Sequence, residues 1–412
     1  MNMDFGFTEE QEKLRKEARE FFLNEMPEDF EPDVETMFSL TKEQTDFWME
    51  FQRKTGEKGY LTPGWSRETG GLGLSPIEQG IVEEEWGHTG GSWPNFSGLH
   101  IAGPAVQVFG TDEQKKKFLP GIANGTAVWN QAFTEPEAGS DEANQQLRAV
   151  EDGDDYILNG QKTFITTYVK PDYIYTLART ADTEPKHRGI SLFLVPGDAP
   201  GISYSAQGTM GFGTQVNIYY ENVRVPKENL LGELNRGFYH AMAVFEFERS
   251  GTANPAFGKR SLEEFVQFCR ETERNGKPLV EDPEIRKQLA QMAIDIEIQR
   301  LIAWEAVWRH SEREKLGPKP YDLSGFYNKI ISTQHPETMM NIMGLYGQLR
   351  TGSKWAKFAG KIEQRWQKAR SVHPAGTLEV NKIVLAGRGL GLPRVPAKFN
   401  KQIAESLKEK KK

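Results

Sequence analysis

The feature that most constrains the fold is a change in hydrophobic period along the 412 residues of the chain. Apolar residues recur at helical spacing from about residue 8 to 124, alternate with a period of two from about 127 to 237, and return to helical spacing from 238 onward. We therefore expect an α+β fold that is mainly α. The predicted domains are a helical domain over 1–125, an antiparallel β domain over 126–236 and a helical bundle over 237–412.

Helix boundaries in the first region have recognisable signals. Thr8, followed three residues later by Gln11, is typical of a capped helix start. The segment TDEQKKKFLPGIANGT repeats this pattern, with Thr111 or Asp112 as the predicted cap. Gly121 is expected near the end of that second helix.

The middle and last regions carry their own signals. Asn159-Gly160 stands between two β-rich runs and predicts a hairpin. Three long helical patterns follow, over about 238–272, 282–312 and 322–349. The second pattern has apolar residues on more than one side: Leu289, Met292, Ala293, Ile296, Ile298 and Leu301. Such a helix is expected to be buried in a bundle or a subunit interface.

Composition limits the partners and the compartment. The formal net charge of -7 argues against a general affinity for nucleic acid or for anionic membranes. No run of about 18 apolar residues occurs, and the first residues lack the apolar core of a signal peptide, so we expect a cytoplasmic protein. Cys269 is the one cysteine, which permits no internal disulfide, and the seven histidines are not spaced as metal ligands.

The segment AVFEFERSGTA places two carboxylates among phenylalanines in a region of helical pattern. Glu246 and Glu248 are two residues apart, so they point about 200° apart on a helix and cannot share a face. One of them is expected at the surface, and the other lies on an apolar, partly glycine-lined stripe with Val244 and Gly251. Glu248 is the carboxylate on that stripe.

The segment NQAFTEPEAGSD, residues 130 to 141, joins the first helical region to the β region. Pro136 and Gly139 favour a turn, and Thr134 and Ser140 supply hydroxyls, so the segment could hold an anion or a planar heterocycle. An ordinary polar loop between domains accounts equally well for these residue types.

This segment resembles the flavin-binding loop of the acyl-CoA dehydrogenase family, with its pattern T-E-P-x-A-G-S-D. The resemblance extends to FTEEQEKLRKEAREF at the start, LNGQKTFIT after the loop, VRVPKENLLGELNRGF after the strands and GTLEVNKIVLAGRGLGLPR near the end. It implies an N-terminal helical domain, a central antiparallel β domain and a C-terminal four-helix bundle that forms a tetramer, with FAD and an acyl-CoA as ligands.

The resemblance also implies site residues. Thr134 falls at the N1/O2 edge of the flavin and Thr166 at N5, while Phe164 stands where most of the family has Trp; the other interpretation of Phe164 is plain β-domain core. The residues implied for FAD are Gln131, Phe133, Thr134, Gly139, Ser140, Phe164, Ile165, Thr166, Arg274, Thr377 and Glu379. Those implied for the substrate are Ser140, Phe245, Arg249, Ala375 and Gly376.

Desaturation of an acyl thioester needs a base for the α-proton while hydride leaves the β-carbon for the flavin. In many family members the base is a glutamate in a Y-E-G-T motif, where this chain has Ala375. The isovaleryl-CoA and long-chain branches of the family place the base on an earlier helix, and Glu248 matches that position. Glu248 is therefore the implied base, and Arg249 is implied to contact CoA or to pair with Glu246.

Two departures from the family pattern affect the adenine end of FAD. Residues 272–276 replace R-x-x-F-G, so that Arg270 or Arg274 is expected to substitute for the usual arginine, and residues 341–345 replace Q-x-x-G-G. These changes leave open a homotetramer or a heterotetramer, in which the chain could also be a non-catalytic or FAD-sharing subunit. The implied electron acceptor is electron-transferring flavoprotein or a similar carrier.

Two other functions are compatible with the same fold. A flavin monooxygenase-like or nucleic-acid-binding relative would share the architecture, although the acidic charge and the retained carboxylate argue against both. The acyl group is undetermined, because it depends on the volume of the pocket. Trp93, Phe96 and His100 either shape that pocket or belong to the core of the first domain.

Overall fold

A computed structural model describes residues 6–26, 42–89, 95–167, 169–210, 215–244, 251–316, 323–370 and 376–393. Helices precede and follow a central group of strands, so the predicted order of helices, strands and helices is confirmed. The first helices are α1 (Glu9–Glu25), α2 (Lys42–Glu57), α3 (Pro76–Thr89), α4 (Gly103–Phe109) and α5 (Asp112–Ala123). No helix within the described ranges is long and apolar enough to cross a membrane.

Both predicted helix starts are confirmed, and so is the predicted position of Gly121 near the end of α5. Thr8 caps α1 and Thr111 caps α5, each in a reciprocal pair with the glutamine three residues later. The α5 helix continues past Gly121 to Ala123. Its continuation places Ile122 in the core that joins the first helices to the sheet.

The central region is a seven-stranded sheet. Its strands are β1 (Trp129–Ala132), β2 (Arg148–Asp152), β3 (Asp155–Thr166), β4 (Tyr173–Arg179), β5 (Ile190–Pro196), β6 (Ile202–Ala206) and β7 (Gln215–Pro226). Their order is β1-β4-β2-β3-β7-β6, and β5 pairs with β4. Most pairs are antiparallel, but β1 runs parallel to β4. One sheet face packs on α4, α5 and the later helix Gly237–Val244, which places the β1–β2 connection beside the first helices.

The predicted Asn159-Gly160 hairpin is wrong, because both residues lie inside the continuous strand β3. The chain reverses earlier, between β2 and β3, at Gly153 with a φ of 61°. Gly160 lies at a register shift in the β3–β7 ladder, with a φ of 142°, and a Cβ there would come within 2.9 Å of the Leu147 Cα. A glycine at this position therefore permits the bulge in β3 and the close approach of the Leu147 backbone.

The C-terminal helices are α6 (Gly237–Val244), α7 (Ala253–Glu271), α8 (Pro283–Ser311), α9 (Arg313–Leu316), α10 (Leu323–Met343), α11 (Lys361–Arg370) and α12 (Leu378–Val384). A short hairpin of β8 (Glu273–Arg274) and β9 (Lys277–Pro278) precedes α8. Helices α7, α8, α10 and α11 share one apolar core, as expected of a four-helix bundle.

Two expectations for these helices need correction. The first long pattern is not one helix, because Gly251 has a φ of 61° and α7 begins only at Ala253. The α8 helix is buried on one side within the chain, through Leu289, Met292 and Ile296. Four of its other apolar residues, Ala293, Ile294, Ile298 and Leu301, are exposed.

Candidate active site

The segment predicted to bind a ligand begins where β1 ends. Gln131 is half-buried on β1, Phe133 is buried, and Thr134 is half-buried. The backbone N–H of Thr163 on β3 donates to the Thr134 carbonyl at 2.9 Å. Thr134 and the middle of β3 therefore lie side by side.

A buried ion pair lies beneath this junction. The Lys162 ammonium is completely buried, and it donates to Glu135 Oε1 at 2.8 Å, to the Phe133 carbonyl at 3.0 Å and to Gln145 Oε1. Burial lowers the pKa of Lys162 to about 8, against the opposing effect of Glu135. The three acceptors all belong to the connection between β1 and β2.

The same connection is fixed at its far end. The backbone N–H of Gln146 donates to Glu135 Oε2, and the backbone N–H of Leu147 donates to Glu135 Oε1 at 3.0 Å. The Arg179 guanidinium donates to the Gln145 carbonyl at 2.8 Å and to the Ala143 carbonyl at 2.7 Å. We call residues 133–147 the pinned loop, because side chains from β3 and β4 hold both of its ends.

The tip of the pinned loop faces outward. Ser140 is exposed, and a Cβ placed on Gly139 would meet no atom of the described residues within 4 Å beyond its chain neighbours. The Asn144 amide donates to the Glu137 carbonyl at 3.1 Å, which closes the loop on itself. The tip thus has room for a ligand, while its shape is set by internal contacts.

Two titratable groups lie close to the pinned loop. Glu142 is half-buried, and burial raises the pKa of its carboxyl to about 7, although Lys162 opposes this shift. Tyr175 on β4 is fully buried 5.4 Å from the Phe133 ring, and burial raises the pKa of its hydroxyl. In the described part of the chain that hydroxyl has no hydrogen-bond partner.

The end of β3 presents an exposed aromatic ring. Phe164 has a φ of 57° at a register shift between Lys162 and Ile165, its side chain is 53% exposed, and its N–H donates to Gln207 Oε1 at 3.0 Å. The interpretation of Phe164 as β-domain core is therefore wrong. Ile165 is buried in that core, while Thr166 is exposed. The strand thus offers a ring and a hydroxyl to solvent beside the pinned loop.

The remaining predicted residues that the structure describes lie on the C-terminal elements. Arg274 is exposed in the β8–β9 hairpin and donates to the Ile342 carbonyl near the end of α10. Thr377 caps α12 by accepting the Val380 N–H at 3.2 Å, and Glu379 is exposed in the first turn of that helix. Gly376 precedes them with a φ of 82°.

Four predicted residues lie outside the described residues: Phe245, Glu248, Arg249 and Ala375. Trp93, considered for the substrate pocket, also lies outside them. Val244, which precedes the segment 245–250, and Thr252, two residues after it, are both fully buried. Phe96 is exposed, and its ring lies 4.6 Å from that of half-buried His100 in the first helical region.

Sequence reasoning missed the side chains that shape the pinned loop. Glu135 and Lys162 stand inside two motifs of the resemblance, TEPEAGSD and LNGQKTFIT, yet the motifs alone assign them no role. A signal existed for Lys162 only in its motif, because three exposed residues interrupt the alternation of β3 between Leu158 and Lys162. Gln145, Arg179 and Tyr175 gave no comparable signal, since their roles depend on contacts between distant segments.

Comparisons with known proteins extend over almost the whole chain. Three family models match in order: the acyl-CoA dehydrogenase N-terminal domain over residues 8–126, the middle domain over 130–223 and the C-terminal domain over 235–390. The acyl-CoA dehydrogenase FadE26 of Mycobacterium tuberculosis is 32% identical over 406 residues, which cover 95% of this chain and 99% of that protein.

Two similar solved structures are each named for two proteins. A chain of the ChsE4-ChsE5 complex from Mycobacterium tuberculosis matches with a TM-score of 0.83 and 32% identity, covering 95% of this chain and 100% of that chain. A chain of the Tcur3481-Tcur3483 steroid ACAD matches with a TM-score of 0.81 and 33% identity, with coverage of 95% and 100%.

Proposed function

Because the chain belongs to the acyl-CoA dehydrogenase family, whose members are flavin-dependent oxidoreductases, we propose that it desaturates an acyl-CoA thioester between Cα and Cβ with FAD. The observation that carries this proposal is the pinned loop. Its residue Thr134 is bonded through its carbonyl to Thr163 of β3, next in sequence to the exposed Phe164, as a site for a planar heterocycle requires.

The residues present fit a flavin. Thr134 supplies a hydroxyl, and the hydrogen bond from Thr163 to its carbonyl holds its backbone against β3. Phe164 supplies an exposed ring, and the open space around Gly139 leaves room for a ligand at the loop tip. Ile165 could contribute only main-chain groups, because its side chain is buried in the β core. The residues assigned to FAD remain Gln131, Phe133, Thr134, Gly139, Ser140, Phe164, Ile165, Thr166, Arg274, Thr377 and Glu379.

When bound, FAD supplies the acceptor for the hydride that leaves the substrate Cβ. The proton on Cα requires a base from the chain, and we assign that role to Glu248 because Ala375 occupies the position of the more usual glutamate. The main-chain N–H of Ala375 is assigned to the thioester carbonyl, where a backbone donor is sufficient.

The experiment is anaerobic titration of the purified yellow protein with linear, branched and steroid-derived acyl-CoAs. The proposal predicts that at least one class bleaches the flavin absorbance and yields the α,β-unsaturated thioester. The steroid-derived member is included because a similar solved structure is named a steroid ACAD. Rapid oxygen consumption by the reduced protein, or salt-sensitive retention of DNA, would instead favour the two other functions considered for this fold.

We further propose that the chain works as one subunit of a heterotetramer. Arg274, the candidate for the pyrophosphate contact, donates one of its five N–H groups to the Ile342 carbonyl of its own chain, which turns its guanidinium toward α10. The two similar solved structures are each named for two different chains. A partner that supplies the missing contact accounts for both observations.

Assembly and flavin content test this second proposal. The chain purified alone should bind less than one FAD per subunit, and flavin content should rise after mixing with the correct partner chain. A homotetramer that carries one FAD per subunit would contradict it. Reduced enzyme should then pass electrons to electron-transferring flavoprotein or a similar carrier, which a dye-reduction assay with and without that carrier measures.

A further inference from the structure

The proposed reaction assigns no function to the buried Lys162–Glu135 ion pair. We propose that Lys162 and Glu135 are positioning residues for FAD: their ion pair fixes the pinned loop against β3 and thereby sets the orientation of Thr134. This inference rests on the proposed function, because it concerns the loop assigned to the flavin. Neither residue is assigned a contact with substrate or cofactor.

The hydrogen bonds from Lys162 all run to one loop. An ammonium group has three protons to donate, and three acceptors lie around it. All three belong to the pinned loop: the Phe133 carbonyl, the Glu135 carboxylate and the Gln145 amide oxygen. Lys162 therefore ties one strand to both ends of a single loop.

Thr134 lies between these contacts. Phe133 immediately precedes it and Glu135 immediately follows it, and both are bonded to Lys162. The Thr134 carbonyl itself accepts the N–H of Thr163, the residue after Lys162. The backbone of Thr134 is thus held on both sides and in the middle, which leaves its side chain one preferred direction.

Both charges of the pair have lost their hydration, because Lys162 is 0% exposed and Glu135 is 4% exposed. Replacement of a buried ion pair by uncharged residues often leaves stability unchanged or raises it. Stability alone therefore does not explain this pair, whereas a fixed loop geometry does.

The test separates folding from positioning with a double-mutant cycle. Lys162→Met, Glu135→Gln and the double variant are purified with any required partner, and each is measured for thermal unfolding without flavin, FAD Kd and the flavin absorption spectrum. Lys162→Met alone should lower the unfolding temperature, because it leaves Glu135 charged and buried. The double variant should recover that temperature yet still bind FAD about tenfold more weakly, with a shifted spectrum.

Two further variants complete the design. Arg224→Met removes the cation of an exposed ion pair with Asp152 and Asp155 on the same sheet and should leave FAD affinity unchanged. Gln145→Leu removes one acceptor of Lys162 without removing a charge, and should weaken FAD binding even if Lys162→Met does not fold. Wild-type FAD affinity and spectrum in the double variant and in Gln145→Leu would overturn the positioning role. Failure of the wild-type protein to bind FAD at all would instead reject the proposed function.

Discussion

Among single residues, Glu142 in the pinned loop is expected to make the stability of the folded protein depend on pH. Its folded-state pKa is raised from 4.5 to about 7, so between these values the folded protein binds more protons than the unfolded chain. Stability should therefore fall as pH rises through this window, and the buried carboxylate should cost free energy above pH 7. Below pH 4.5 the carboxyl is protonated in both states and the cost disappears.

Glu142→Gln should consequently stabilise the protein at pH 8 by roughly 1–3 kcal/mol and have little effect at pH 4. Urea unfolding at the two pH values measures the difference. Glu137→Gln is the matched control, because Glu137 is exposed in the same loop. Equal changes in unfolding free energy at both pH values would contradict a buried, ionising Glu142.

Lys162 shows why a candidate site is only partly predictable at this scale. Its motif is apparent in the sequence, although three exposed residues and the bulge at Gly160 interrupt the alternation along β3 just before it. Its acceptors, however, lie 17 to 29 residues earlier in the chain, and no local pattern pairs them. Thr134, Phe164 and Ser140 are selected by resemblance, and their assignment to FAD stays a prediction.

Among secondary-structure elements, β3 depends on Gly160. A Cβ at Gly160 would meet the Leu147 Cα at 2.9 Å, and its φ of 142° disfavours any side chain. Gly153, in the β2–β3 turn, has a φ of 61° but open space around it. The two glycines therefore differ in crowding more than in backbone strain.

Gly160→Ala should destabilise the protein by about 2 kcal/mol or more, and Gly153→Ala by only about 1 kcal/mol. Thermal unfolding of the two variants provides the comparison. A smaller loss at Gly160 than at Gly153 would show that the bulge accommodates a side chain.

The wrong hairpin prediction has a physical explanation in the same strand. Asn-Gly is a strong local turn signal, but β3 forms ladders with β2 on one side and with β7 on the other. The bulge at Gly160 lets the β7 ladder continue past the dipeptide. Pairing between distant strands thus outweighs the local preference, whereas the long helices, governed by periodicity, are predicted correctly in type.

In the whole molecule, Glu84 connects the first helices with the C-terminal bundle. This buried carboxylate on α3 accepts from Arg300 Nε at 2.9 Å and Trp304 Nε1 at 3.0 Å on α8, and pairs with Arg15 of α1 at 3.2 Å. Its contacts therefore fix the first helices against the C-terminal bundle.

Glu84→Ala should cost about 3 kcal/mol, because it removes a buried carboxylate that two partly buried arginines and the Trp304 indole share. Glu57→Ala, which removes an exposed partner of Arg53, should cost less than about 1 kcal/mol. Denaturant unfolding of both variants measures the contrast. A similar loss for the two would mean that the α1–α3–α8 contact contributes no more than a surface pair.

The fold class of the whole molecule follows from the change in hydrophobic period, but its assembly does not. The exposed side of α8 includes Ile298 and Leu301, and the sequence predicts that such a helix is buried in a bundle or a subunit interface. No pattern in one chain identifies which protein or segment covers it. The boundaries at 125/126 and 236/237, and the choice between homotetramer and heterotetramer, stay predictions.

The most direct test of the central claim compares Glu248→Gln with Glu246→Gln. Both variants should fold and retain FAD. Glu248→Gln should lose flavin bleaching by an acyl-CoA that bleaches the wild type, by a factor of about 1,000 or more in rate, because no base remains for the α-proton. Glu246→Gln should bleach at close to the wild-type rate. Undiminished bleaching by Glu248→Gln would contradict the assignment of the base, and with it the account of how this chain performs desaturation.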